Sequence, residues 1–225
     1  MTHQGFSIQD RRLGRIAAWA AFILSEAYAI ASGLGFLSLK SPSDAISDPY
    51  LSIMALLIVL MMPFLVVTMV VILAYAPPDL KSYARAALVF MILLAGTTST
   101  VNFGLLVSSH QAIAESSPWL LLFLPFKWPA LAYALDVFAW DWFFGLSMLF
   151  AAPVFRDGRL ERLVRLLMIG SGLLSLVGLI WLLVSPFQAT IIGILGWGVA
   201  GPIVFLLIAM VFGRAQPEAA QFPTL

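Results

Sequence analysis

Six stretches of mostly apolar residues, each about 20 or more long and separated by short polar or proline-rich breaks, constrain this chain more than any other feature. A helix rises about 1.5 Å per residue, so about 20 apolar residues match a hydrocarbon layer about 30 Å thick. In lipid each backbone N–H and C=O must be bonded within its own segment, and runs of this length satisfy that as helices. The expected fold is all-α, a polytopic membrane protein of about six transmembrane helices. They fall at about 13–37, 51–75, 83–107, 130–155, 163–184 and 190–212, within a single integral membrane domain over 1–225. Composition agrees, since only 10% of the residues are charged and 62% are hydrophobic, whereas soluble domains are about 25% charged.

The breaks carry turn chemistry. Pro77-Pro78 stops the second helix, and Ser185-Pro186 stops the fifth. Ser7 and Asp10 stand three apart before the first helix, the spacing of a capping box. Pro63 lacks an N–H and is expected to bend the second helix. The first apolar stretch is too long for a secretory leader and carries Glu26 mid-span, so it reads as a membrane helix. Residues 108–129 hold Pro118, Trp119, Pro125, Lys127, Trp128 and Pro129 around a short apolar run. That run cannot span, so an interfacial or re-entrant segment is expected between helices 3 and 4.

Charge placement predicts orientation. With six helices, Arg11, Arg12, Arg15, Lys81, Arg85, Arg156, Arg159, Arg162, Arg165 and Arg214 share one side, and only Lys40 and Lys127 take the other. Ten against two puts both termini in the cytoplasm, as in a bacterial plasma (inner) membrane.

Much chemistry is excluded. Without Cys there are no disulfides, thiolate nucleophiles, Fe–S clusters or Cys-based zinc sites. His3 and His110, the only histidines, lie outside the apolar runs, which argues against bis-His haem and three-His zinc. No nucleophile elbow, HExxH or P-loop occurs. Lys40, Lys81 and Lys127 sit in or beside loops, which excludes a retinal Schiff base on a central helix. No metal or cofactor is implied. A net charge of +1 provides no pull toward nucleic acid.

Three carboxylates stand inside the apolar runs, namely Glu26 in helix 1 and Asp136 and Asp141 in helix 4. A charge at the bilayer centre costs at least ~2.5 to 3.5 kcal/mol, and such residues are paired, neutralised or functional. No basic residue lies at their depth. The aspartates are five residues apart, about 7 Å along the axis and about 140° around it, so they cannot share one narrow seam. Helix 3 offers neutral partners in Thr97-Thr98-Ser99-Thr100 and Asn102, with Thr98 and Asn102 on one face. Hydroxyls of this kind also back-bond to their own helix and pack against neighbours. Tyr28, Tyr133, Trp140 and Trp142 lie near the acids in sequence, and Ser171 and Ser175 share a face of helix 5. These features predict a polar pocket lined by helices 1, 3 and 4. Glu26, Asp141, Asp136, Thr98 and Asn102 would bind ligand or proton, while Tyr28, Tyr133, Trp140, Trp142, Ser171 and Ser175 line the pocket.

Three functions fit. One is binding or transport of a small molecule, cation or proton through that pocket. Another is an intramembrane acid/base isomerase or cyclase acting on an isoprenoid-like lipid, with aromatic faces stabilising a cation. The third is a non-catalytic accessory subunit. The expected partners are membrane lipids, a hydrophobic or cationic small molecule, and a second copy or a larger membrane complex.

Overall fold

The computed structural model describes residues 6–41, 44–109, 130–182 and 191–216. Every regular element among them is helical. Six helices are long and apolar enough to cross a membrane: α1 Ile8–Leu37, α2 Tyr50–Tyr75, α3 Pro78–Val107, α4 Leu131–Val154, α5 Gly158–Ile180 and α6 Ile191–Arg214. Most of the segment expected to be interfacial or re-entrant falls in 110–129, outside the described residues.

α1 begins at Ile8, five residues before the expected 13, because the capping box holds. Asp10 N–H donates to Ser7 Oγ at 3.0 Å, and Ser7 N–H donates back to Asp10 Oδ2 at 2.9 Å. These bonds satisfy donors that a helix start leaves free, so the polar turn 8–12 stays helical. α2 runs unbroken through Pro63. At its far end Lys81 Nζ donates to the carbonyls of Leu73 at 2.6 Å and Ala74 at 3.0 Å. A cation on the last free carbonyls stabilises a helix C-terminus.

Each helix packs on its neighbours in sequence, and α6 returns to α1, so the six close into a ring. The interior is filled by Leu65 and Met69 of α2, Met91 of α3, Met148 of α4, Met168 of α5 and Phe205 of α6. α1 meets the core closely through small residues, with Phe22, Leu24 and Tyr28 partly buried against it. A Cβ added at Gly14 would fall 2.5 Å from Val71 Cγ1 and 2.8 Å from Phe212 Cδ2, so only glycine lets α1 lie this close to α2 and α6.

One end of the ring is tied by an aromatic and acidic cluster. Tyr75 lies 5.3 Å from Phe6, 6.1 Å from Phe155 and 5.7 Å from Phe212, ring centre to ring centre. The start of the described chain, the end of α2, the α4–α5 turn and the end of α6 therefore meet here. Glu161, 8% exposed, accepts from Tyr75 Oη at 2.5 Å and from the backbone N–H groups of Arg156 and Asp157 at 2.9 Å each. Nearby, Arg156 pairs with Asp79 at 2.9 Å, but both side chains face water, at 43% and 63% exposure. Solvent-exposed pairs contribute little, so Arg156→Ala is expected to cost under about 1 kcal/mol in thermal or denaturant unfolding.

Candidate functional site

Six of the nine buried polar side chains among the described residues gather in two centres, one on each side of α4.

The first joins α3 to α4. Thr98, Asn102 and Asp136 are 0%, 3% and 5% exposed. Thr98 and Asn102 stand one turn apart and face α4 together. Thr98 Oγ1 donates to Asp136 Oδ1, and Asn102 Nδ2 donates to the same oxygen at 3.0 Å. Asn102 Nδ2 also reaches the Thr98 carbonyl at 2.9 Å, which fixes the amide rotamer. Tyr28 of α1 is an electrostatic neighbour of both Asp136 and Tyr133. Ser32 stands one turn on from Tyr28, with its hydroxyl beside the Tyr28 side chain. Helices 1, 3 and 4 all contribute to this centre, α1 through Tyr28.

The second centre joins α4 to α5 and α6. Asp141, 1% exposed, lies in a π-helical stretch of α4, Ala139–Phe144. α6 carries a second π stretch, Ile194–Ala200, opposite the first. Widened turns of this kind occur mostly at functional positions. The Asp141 carboxylate rests directly on two glycine backbones. A Cβ at Gly193 of α6 would stand 2.6 Å from Oδ1, and one at Gly178 of α5 would stand 3.2 Å from Oδ2. The Trp197 indole N–H approaches the carboxylate, and the Trp197 ring packs 5.2 Å from Trp140. Asp141 Oδ1 nevertheless has no hydrogen-bond partner among the described residues. Farther along the α5–α6 seam, Ser171 Oγ donates to the Gly196 carbonyl at 2.8 Å, while Ser175 Oγ is buried and unpaired.

These placements divide the residues singled out from sequence. Thr98, Asn102 and Asp136 come together, with Tyr28 and Tyr133 beside them. Asp141, Trp140, Ser171 and Ser175 belong to the other centre, on the far side of α4. Glu26 joins neither, because it lies on the exposed face of α1, turned away from the ring. Trp142 is 40% exposed and lines no pocket with the acids. The cause is common to both: rotation about the helix axis turns Tyr28 inward and Glu26 outward, and Asp141 inward and Trp142 outward. Sequence reasoning missed Trp197 and the role of Gly178 and Gly193 as a slot. A signal was present in Gly196-Trp197-Gly198, since an indole N–H in mid-membrane needs an acceptor.

Among the described residues no three of His, Cys, Asp and Glu gather as metal ligands. Thr98 and Asn102 supply two donors to the buried Asp136 carboxyl, which offsets part of the cost of burying it. Asp141 is left with one buried oxygen unpaired among the described residues.

A ring of six apolar helices around buried carboxylates defines a multi-pass membrane protein. Comparison with protein-family models, with curated proteins and with solved structures finds no match for this chain.

Proposed function

We propose that this protein binds and moves a proton or a small cation across the membrane, using Asp136 and Asp141. The observation that carries this reading is the pair of buried carboxylates without a basic partner among the described residues, one held by Thr98 and Asn102 and the other with an unpaired oxygen in a glycine slot. An unpaired intramembrane acid is retained against a large cost and marks ion pathways and proton relays more often than scaffolding. Asp136 would take the cation or proton among the hydroxyls of α3. Asp141 would hold the proton between α4, α5 and α6.

The same reading puts both termini on the cytoplasmic side of a plasma membrane, because ten of the twelve Lys and Arg gather there. It makes the chain one integral membrane domain with an interfacial or re-entrant segment between α3 and α4.

A second reading, an acid/base isomerase or cyclase on an isoprenoid-like lipid, draws on the Trp140–Trp197 pair beside Asp141. The backbones of Gly178 and Gly193 press on that carboxylate, so the slot suits a proton better than a hydrocarbon chain.

The test uses the purified chain in liposomes loaded with a pH-sensitive dye, with valinomycin and a potassium gradient as the driving force. Wild type is expected to carry protons at least about tenfold faster than protein-free vesicles, a barrier difference of about 1.4 kcal/mol. Asp136→Asn and Asp141→Asn keep the shape but cannot ionise, and each is expected to fall to the protein-free rate. Methylammonium uptake in the same vesicles reports the small-cation branch. Two correctly folded amide variants that carry protons and methylammonium as wild type does would remove the proposal.

A further inference from the structure

Glu26 lies on a face of α1 that the other described residues leave uncovered. α1 meets α2 and α6 through Gly14, Ala17, Ala18 and Ala21. Its other face runs Ile16, Trp19, Ile23, Glu26, Ile30 and Gly33, every one of them exposed. The steps alternate between three and four, the seam spacing of a helix that packs against another helix. Isoleucine recurs at every seventh position, 16, 23 and 30. A Cβ at Gly33 would meet nothing within 4 Å, so a second backbone has room to approach there.

Lipid is a poor occupant of this seam. Glu26 sits well inside the span, 18 residues from Ile8 and 11 from Leu37. It makes no hydrogen bond or ion pair with any described residue. A carboxylate facing hydrocarbon at that depth is strongly disfavoured. A second copy is poorly matched too. A two-fold axis along the membrane normal would set Glu26 against Glu26 at equal depth, like charge against like. The basic residues of the described spans all stand within about two turns of a helix end, so a second copy has none to offer at mid-membrane.

We propose that this face of α1 is an interaction surface for a single transmembrane helix of another protein, one that carries a Lys or Arg at mid-membrane opposite Glu26. The isoleucines and Trp19 supply the apolar contact, and Glu26 sets the register, as a lone polar residue in a helix seam does. The pairing neutralises a charge that the other described residues leave alone.

The chain has no cysteine, so Lys40→Cys provides one site for a donor dye. The labelled full chain is reconstituted in phosphatidylcholine vesicles with acceptor-labelled poly-leucine transmembrane peptides bearing a central Lys or, as control, Leu. The Lys peptide is expected to associate about tenfold more tightly than the control. Glu26→Gln is expected to erase that preference. Glu26→Lys is expected to transfer it to a peptide with a central Glu, a gain that only a folded chain can show. Equal association of the Lys and Leu peptides with wild type would overturn the proposal, as would a Lys preference that survives Glu26→Gln. Energy transfer between two labelled copies, abolished by Glu26→Gln, would also overturn it and assign the face to a second copy.

Discussion

Gly193→Val is expected to abolish proton movement and to destabilise the protein, while Gly170→Ala leaves both nearly unchanged. Both glycines lie in membrane helices, so the difference tests the slot around Asp141 rather than glycine content. At Gly193 an added Cβ would fall 2.6 Å from Asp141 Oδ1, 3.1 Å from Oδ2 and 3.2 Å from Cγ. The carboxylate cannot simply retreat, because the Gly178 backbone closes the slot from α5. At Gly170 an added Cβ meets nothing within 4 Å. Overpacking a close helix contact costs about 1 to 3 kcal/mol, and valine adds two methyl groups beyond the clashing Cβ. Replacing Gly by Ala in open space gains up to about 1 kcal/mol in helix propensity, which sets the upper limit for the control. Thermal unfolding in detergent reads the stability difference, and the dye-loaded liposomes read the flux. A Gly193→Val protein with wild-type flux would show that the slot is only a packing detail.

Glu161→Ala is expected to be the most damaging substitution outside the two centres. Three donors converge on this carboxylate, two of them backbone N–H groups with no side chain to move elsewhere. Hydrogen bonds to a charged group contribute about 1.5 to 3 kcal/mol each, and buried donors left unpaired cost about 1 to 3 kcal/mol. The three bonds are coupled, so about 3 to 5 kcal/mol is expected rather than their sum. Glu161→Gln retains one acceptor oxygen and is expected to lose about half as much. Tyr75→Phe removes one bond of the three, and its loss is expected near 1 to 2 kcal/mol. The ranking Ala, Gln, Phe in unfolding midpoints is the check, with Arg156→Ala as the mild member of the set. Equal midpoints for Glu161→Ala and Arg156→Ala would mean that the cluster does not hold this end of the ring together.

The cluster also shows what a linear reading misses. RDGRLERLVR reads as a run of charge that sets orientation, and its one buried acid is indistinguishable there from the exposed residues around it. Only the approach of Tyr75, 86 residues earlier, makes Glu161 a structural centre. The Asp136 centre was closer to legible. Thr98 and Asn102 share a helical face, and Asp136 is the acid at matching depth, so a local periodicity and a rise per residue were enough to group them.

The sequence by itself determined the number of spans, their approximate bounds and the depth of every polar residue. Those are local properties: hydrogen-bond closure and hydrocarbon thickness act on each stretch alone, without reference to the others. Tertiary structure alone decided which way each helix is turned. Tyr28 and Glu26 are two residues and about 200° apart on α1, so a half rotation exchanges the residue at the centre for the one facing out. In a soluble helix the apolar stripe would announce the answer, but lipid is as apolar as the protein interior, so hydrophobicity alone does not tell the inner face of α1 from the outer one. What sets the rotation is shape, namely Gly14 and three alanines fitting against α2 and α6, and shape is decided only when the neighbours are present.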